Sequence, residues 1–239
     1  MAGNRIVGIH QPEYLPWMGL LNKLANSDTF VLLDNVQYRR NYFQNRNRIR
    51  TSEGWTWLTV PVKKAPLETV ISEIQVDDSK PWGESHWKSL RQNYSKARHF
   101  GEYSEFFKEI YSRNWARLVE LNTEIIRFFA DALGIKCEIV LASQLHATGT
   151  STELLLRICE ELDADTYLSG RFGKDYLDEE VFRGAGIRVA YQDFQHPEYE
   201  QVYQPFVPAM AGVDLLFNTG TEGIEYIRRS WVLTDRAPY

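Results

Sequence analysis

Two short apolar runs, Ile6-Val7-Gly8-Ile9 and Phe30-Val31-Leu32-Leu33, flank a stretch in which Trp17, Leu20, Leu21 and Leu24 recur at helical spacing. Runs of that length predict strands, and the stretch between them predicts one helix. Strand, helix and strand in so few residues open an α/β unit with parallel strands. In such sheets ligands bind beyond the carboxyl ends of the strands. The first run ends in His10-Gln11 and the second in Asp34-Asn35, so these four side chains are expected side by side at one mouth. An imidazole there suits proton transfer. His10 is therefore the candidate base, and Asp34 its orienter or a proton acceptor itself.

The run from Val36 to Arg48 is crowded with amides and guanidinium groups. Such groups recognise polar ligands by paired hydrogen bonds, and Arg meets carboxylate or phosphate as a fork. Gln37, Asn45, Arg46 and Asn47 accordingly join Gln11 and Asn35 as candidate substrate contacts. Trp55–Val62 and Val70–Val76 read as a strand pair, followed by a helical region. Asn114 is placed as the N-cap of a helix that Gly134 closes. His86 and His99 read as helix-surface or capping residues. Strand-like Ile135–Ala142, a helix over Ser151–Leu162 and strand-like Asp165–Leu168 restore the α/β rhythm. That last strand runs into Ser169-Gly170-Arg171-Phe172-Gly173-Lys174, where Ser169, Gly170, Arg171 and Lys174 make a candidate phosphate cradle. A further strand follows at Gly186–Tyr191, then a last helix from Val213 to Gly220.

The chain of 239 residues is expected to form a single α/β domain, with an inserted β/helical subdomain at about 43–134. Its net charge of −5 argues against a nucleic-acid partner. No run approaches the ~20 apolar residues of a membrane span. The start carries no signal-peptide pattern, which predicts a cytoplasmic protein. Cys137 and Cys159 read as buried free thiols, and the five histidines show no metal-ligand spacing. No motif names a cofactor, and no nucleophile elbow is present.

The block His10-Gln11-Pro12-x-Tyr14-Leu15-Pro16-Trp17-x-Gly19, with Lys23, Asp28, Asp34-Asn35-Val36-Gln37-Tyr38, Asn45-Arg46-Asn47 and Leu58-Thr59-Val60-Pro61-Val62, resembles the WbqC-like protein family. Tyr167-Leu168-Ser169-Gly170, Tyr176-Leu177, Gly186-Ile187 and Asp214-Leu215-Leu216-Phe217-Asn218 extend the likeness over nearly the whole chain. Members of that family occur among genes for bacterial O-antigen and capsule sugars, which implies work on an activated sugar. The opening block is also similar to the start of HIGH-type nucleotidyl-transferring α/β enzymes such as pantothenate synthetase. Tyr14 and Trp17 stand where those enzymes carry the two signature histidines that bind triphosphate, and are placed among the substrate contacts here.

The fold expected is a Rossmann-like parallel sheet with flanking helices, a β insertion and a helical middle region. The function expected is acyl or aminoacyl transfer to the amine of a nucleotide-linked amino sugar. An ATP-dependent amide ligase or nucleotidyltransferase-like enzyme, and a non-catalytic binding protein, are the alternatives.

Overall fold

The structure is a computed structural model that describes residues 4–229 and 231–233. Strand β1 (Ile6–His10) leads through helix α1 (Met18–Ala25) into β2 (Thr29–Leu32). A hairpin follows, β3 (Arg46–Thr51) and β4 (Gly54–Thr59), then helices α2 (Trp82–Tyr94), α3 (Phe100–Ser112) and α4 (Leu118–Ala132). The second half alternates β5 (Glu138–Leu141), α5 (Ser151–Glu161), β6 (Thr166–Ser169), α6 (Glu179–Gly184) and β7 (Arg188–Phe194). Helices α7 (Gly212–Thr219) and α8 (Gly223–Arg229) and strand β8 (Trp231–Leu233) end the described chain.

The main sheet has the order β5-β2-β1-β6-β7-β8. Its first five strands are parallel, and β8 pairs antiparallel with β7. With the separate β3–β4 hairpin left aside, this is the 3-2-1-4-5-6 order of doubly wound folds, with its last strand reversed. The order reverses at β1, so a crevice opens beyond the carboxyl end of that strand. The register pairs His10 with Leu32 and Gly8 with Leu168.

Both faces of the sheet are covered, as a parallel sheet requires. Val7, Ile9 and Val31 point to one side, against Leu154, Leu155 and Ile158 of α5 and Phe182 of α6. Their strand neighbours Phe30 and Leu32 point to the other, into a larger core shared with α1, α4, α3 and α7. Helix α1 is buried from Met18 to Leu24. At Gly8 a Cβ would lie 2.2 Å from Ser27 Oγ, so only glycine lets the strand pass the α1–β2 turn.

A polar network ties hairpin, α2 and α7 together. Asp214, fully buried in the first turn of α7, accepts from Tyr94 Oη at 2.8 Å, Tyr199 Oη at 2.6 Å and Gln201 Nε2 at 2.7 Å. Arg50, the largest fully buried side chain, donates to Gln201 Oε1 and to the carbonyls of Gly54 and Pro205, while its backbone N–H donates to Tyr94 Oη.

Three local expectations change. The partner of the Trp55–Thr59 strand is Arg46–Thr51, and the turn between them holds only Ser52 and Glu53. Within the expected strand Val70–Val76, Ile71–Glu73 form a 3₁₀ turn instead, with single bridges at Val70 and Val76. Helix α4 begins at Leu118 rather than after Asn114, because residues just before it run extended: Gln75 bridges Arg117, and Val76 N–H donates to the Ala116 carbonyl. Cys159 is buried as expected, whereas Cys137 is only half-buried. No helix among the described residues is long and apolar enough to cross a membrane.

Candidate functional site

A cavity of about 630 Å³ opens beyond the carboxyl end of β1. This volume lies in the range of small-molecule sites. Its floor is the turn that follows β1. His10 ends the strand and exposes a quarter of its side chain. Its Nδ1–H donates to the Gln11 carbonyl at 2.9 Å, which leaves the Nε2 lone pair free to accept. Burial, then the Lys23 charge, push the imidazole down to about 3, so it is neutral at physiological pH.

Glu13 stands 4.0 Å from His10 Nε2, too long for a direct hydrogen bond. It is buried, and Oε2 finds no partner among the described residues. Burial pushes its carboxyl up to about 8, against the pull of the Lys23 charge and the Trp17 backbone N–H. Lys23, buried on α1, donates from Nζ to the Ile9 carbonyl at 3.2 Å. Burial lowers its ammonium to about 8, with Glu13 opposing. A carboxyl and an amine brought near one value from opposite sides, beside a neutral imidazole, are equipped to exchange protons near neutrality. Among the described residues no three His, Cys, Asp or Glu side chains gather as metal ligands would.

The walls concentrate positive charge in an acidic protein. Lys23, Arg39 and Arg48 all face the cavity, as does Ser151 at the N-terminus of α5. A helix N-terminus carries a partial positive charge, so it adds to the attraction for an anionic group. His196, its ring tilted at 42° to Trp17 and 5.7 Å from it, also lines it. Burial and the Arg48 charge hold this imidazole below its ordinary value. Apolar area comes from Ile9, Leu33, Val36, Leu154 and Leu155. At the mouth Tyr42, Phe172 and Tyr176 are exposed. Ser151 and Ala209, both at positive φ (51° and 60°), line the cavity as well. Left-handed backbone at residues with a Cβ stores roughly 1–2 kcal/mol each, a strain that gathers at functional sites.

The sequence candidates divide. His10, Gln11, Trp17 and Gly170 line the cavity. Gln11 is held by Gln44, whose Nε2 donates to Gln11 Oε1 at 2.7 Å. Gly19 leaves room for the Trp17 indole, which a Cβ there would strike at 2.1 Å. Tyr14 instead faces the core, where its hydroxyl meets His86 Nδ1 at 2.8 Å and Tyr111 Oη at 2.5 Å. His86 is thereby a buried residue, not a surface one. The Asp34 carboxylate accepts from Ser143 N at 2.8 Å and Ser143 Oγ at 2.7 Å, and the His10 ring is oriented by the Gln11 carbonyl.

The amide-rich run mostly serves the backbone. Asn45 donates to the Val60 carbonyl, Asn47 to the Leu15 carbonyl, and Gln37 to the Leu67 carbonyl. Asn35 is half-buried outside the cavity wall, and Arg46 stacks at 4.3 Å on Trp57. Ser169 is fully buried beneath the Gly170 turn. Arg171 and Lys174 are exposed and lie over Phe172 and Tyr191 rather than lining the cavity.

Glu13, Lys23, Arg39, Arg48 and His196 were not singled out by chemistry in the sequence. One signal existed for Lys23: α1 reads MGLLNKLA, with a single charge on a helix otherwise fit for burial.

The model of the WbqC-like protein family matches residues 11–226. A protein of Mycobacterium tuberculosis (strain ATCC 25618 / H37Rv), "Uncharacterized protein Rv1507c", is 36% identical over 225 residues, which span 93% of this chain and 97% of the relative. No solved structure matches. The family match takes in Gln11, Glu13, Lys23 and the arginines of the cavity wall, and with it the chain belongs to the WbqC-like protein family.

Proposed function

We propose that the protein transfers an acyl or aminoacyl group to the amine of a nucleotide-linked amino sugar in surface-polysaccharide assembly. The observation that carries this reading is the joining, in one cavity, of an acid–base cluster (His10, Glu13, Lys23) with cations that suit a diphosphate. In the transfer the amine attacks the carbonyl of an acyl thioester, its proton passes to the Glu13 carboxylate, 4.0 Å from His10 Nε2, and the C–S bond breaks as the thiolate leaves and takes that proton from Glu13. Positioning plus one well-tuned base is a sufficient mechanism for such chemistry. Lys23 stands ready to balance negative charge developing at the carbonyl oxygen. His10 is thus a neutral partner of the base rather than the base itself, since its imidazole is held so far down.

The ATP-dependent ligase draws no support from Tyr14 and Trp17. One is sealed against His86 and Tyr111, and the other offers an indole where an imidazole would hold triphosphate.

A thermal-shift screen of nucleotide-linked amino sugars, ATP and acyl-CoA tests the reading. A nucleotide amino sugar at a hundred times its Kd is expected to stabilise the fold by about 2.7 kcal/mol. Mixed with the right donor it is expected to give an amide detectable by mass. Tight binding with no product under any donor supports a non-catalytic binding protein. Absence of any shift removes the small-molecule reading.

A further inference from the structure

In doubly wound folds a nucleotide's pyrophosphate usually rests on a glycine-rich turn between the first strand and helix. Here that turn is His10-Gln11-Pro12-Glu13-Tyr14-Leu15-Pro16-Trp17, without a glycine. Two prolines remove backbone donors, and a buried carboxyl occupies the floor. Phosphates are not welcome there. The site must take them elsewhere.

The cations that face the cavity lead outward to the β3–β4 hairpin. Arg48 lines the cavity and lies over two indoles, Trp55 at 5.0 Å and Trp57 at 5.8 Å. Arg46 also lies over Trp57, at 4.3 Å. The rings of Trp55 and Trp57 are 5.6 Å apart, and Phe43, a cavity residue, is 6.1 Å from Trp57. The register places Arg46, Arg48, Trp55 and Trp57 on one face of the hairpin. The Nε atoms of both arginines are buried and have no hydrogen-bond partner among the described residues. Trp55 at the outer end is 45% exposed, an indole open to stacking at no folding gain.

We propose that this hairpin face is a nucleoside diphosphate subsite: Arg48 and Arg39 hold the diphosphate at the cavity mouth, and the base stacks on the exposed ring of Trp55, which Trp57 supports edge to face. The sugar then reaches inward over Glu13 and His10. Guanidinium groups match phosphate oxygens as forks, and indoles stack on any base. As the anchor for a nucleotide-linked acceptor, the subsite rests on the transfer reading above.

The test labels the full chain with 5-fluorotryptophan and assigns the Trp55 ¹⁹F signal by its loss in Trp55→Phe. UDP, GDP, dTDP and ADP are titrated separately, with maltotriose and a dT10 oligonucleotide as controls. At least one nucleoside diphosphate is expected to move the Trp55 and Trp57 signals. Its Kd is expected to weaken about 5- to 150-fold in Trp55→Ala, the loss for one base–aromatic stack, and to be largely kept in Trp55→Phe. Because Trp55 is exposed, the alanine variant is expected to melt as the parent does. The subsite is overturned if no nucleotide binds, if binding leaves both signals and the Trp55→Ala affinity unchanged, or if maltotriose or dT10 moves them as strongly. It is also overturned if Trp55→Ala turns a dimer into a monomer, which would make this face a contact between copies. The two readings part cleanly. Transfer with unchanged KM in Trp55→Ala removes the subsite alone; nucleotide stacking on the hairpin without transfer to any amino sugar removes the transfer reading alone.

Discussion

Glu13→Gln is expected to slow the proposed transfer by about 10²- to 10⁴-fold, the usual contribution of a positioned general base. The amide keeps the shape of the carboxyl and cannot take a proton. It is a neutral replacement for a group that burial already favours in its neutral form, so thermal stability is expected to hold or rise. The affinity for the nucleotide sugar is expected to stay within a factor of a few, since the charged contacts lie on Lys23, Arg39 and Arg48. The parent's rate should carry the mark of the same group. A base works when ionised, whereas Lys23 must keep its proton, so turnover is expected to rise with pH toward about 8 and fall beyond it, and the rising limb should vanish in the variant. A variant with unchanged turnover and the same pH limb would place the base elsewhere.

Asp214→Ala is expected to cost about 3–5 kcal/mol of folding free energy. Removing the carboxylate strands the Tyr94 and Tyr199 hydroxyls and leaves the Gln201 amide with the Val207 carbonyl alone, all buried donors. A buried donor left without an acceptor costs about 1–3 kcal/mol, and some relaxation keeps the sum below a simple total. Against a typical stability of about 5–15 kcal/mol this is a large fraction. Urea denaturation measures it directly. Asp214→Asn, which keeps one acceptor oxygen, is expected to lose less. A loss under about 1 kcal/mol in the alanine variant would mean that the network is dispensable.

The hydrophobic periodicity that made β1, α1 and β2 legible is strong because both sheet faces are buried and the strands are nearly pure apolar runs. The hairpin was harder to read. Arg46-Asn47-Arg48-Ile49-Arg50 has few apolar residues, yet it is a strand, because Arg46 and Arg48 stack on indoles and Arg50 is hydrogen-bonded inside a polar network. Val70–Val76 has strand composition, but it meets its expected partner only where Val76 bridges Val62; Val70 bridges Gln37, and Gln75 bridges Arg117 just before α4, partners no local pattern reveals.

The strand-end rule pointed to the mouth where a cavity opens, lined by His10 and Gln11. It could not foretell that Ser143, from the end of β5, takes the Asp34 carboxylate. Nor could it foretell that Glu13 folds back beneath His10 and that Lys23 turns inward from α1. Those placements depend on how the whole α1 helix is buried, which is a tertiary fact. The amides of Asn45 and Asn47, attractive as ligand contacts, are consumed in holding irregular backbone.

In the proposed mechanism Glu13 is a proton carrier that burial beside His10 and Lys23 brings near neutral pH. A carbon-13 titration of the chain labelled at glutamate carboxyls measures it without any assumption about substrate. One carboxyl signal is expected to titrate near pH 8 and to be missing from Glu13→Gln. A spectrum in which every glutamate carboxyl has titrated by about pH 6, close to the ordinary range, contradicts the account.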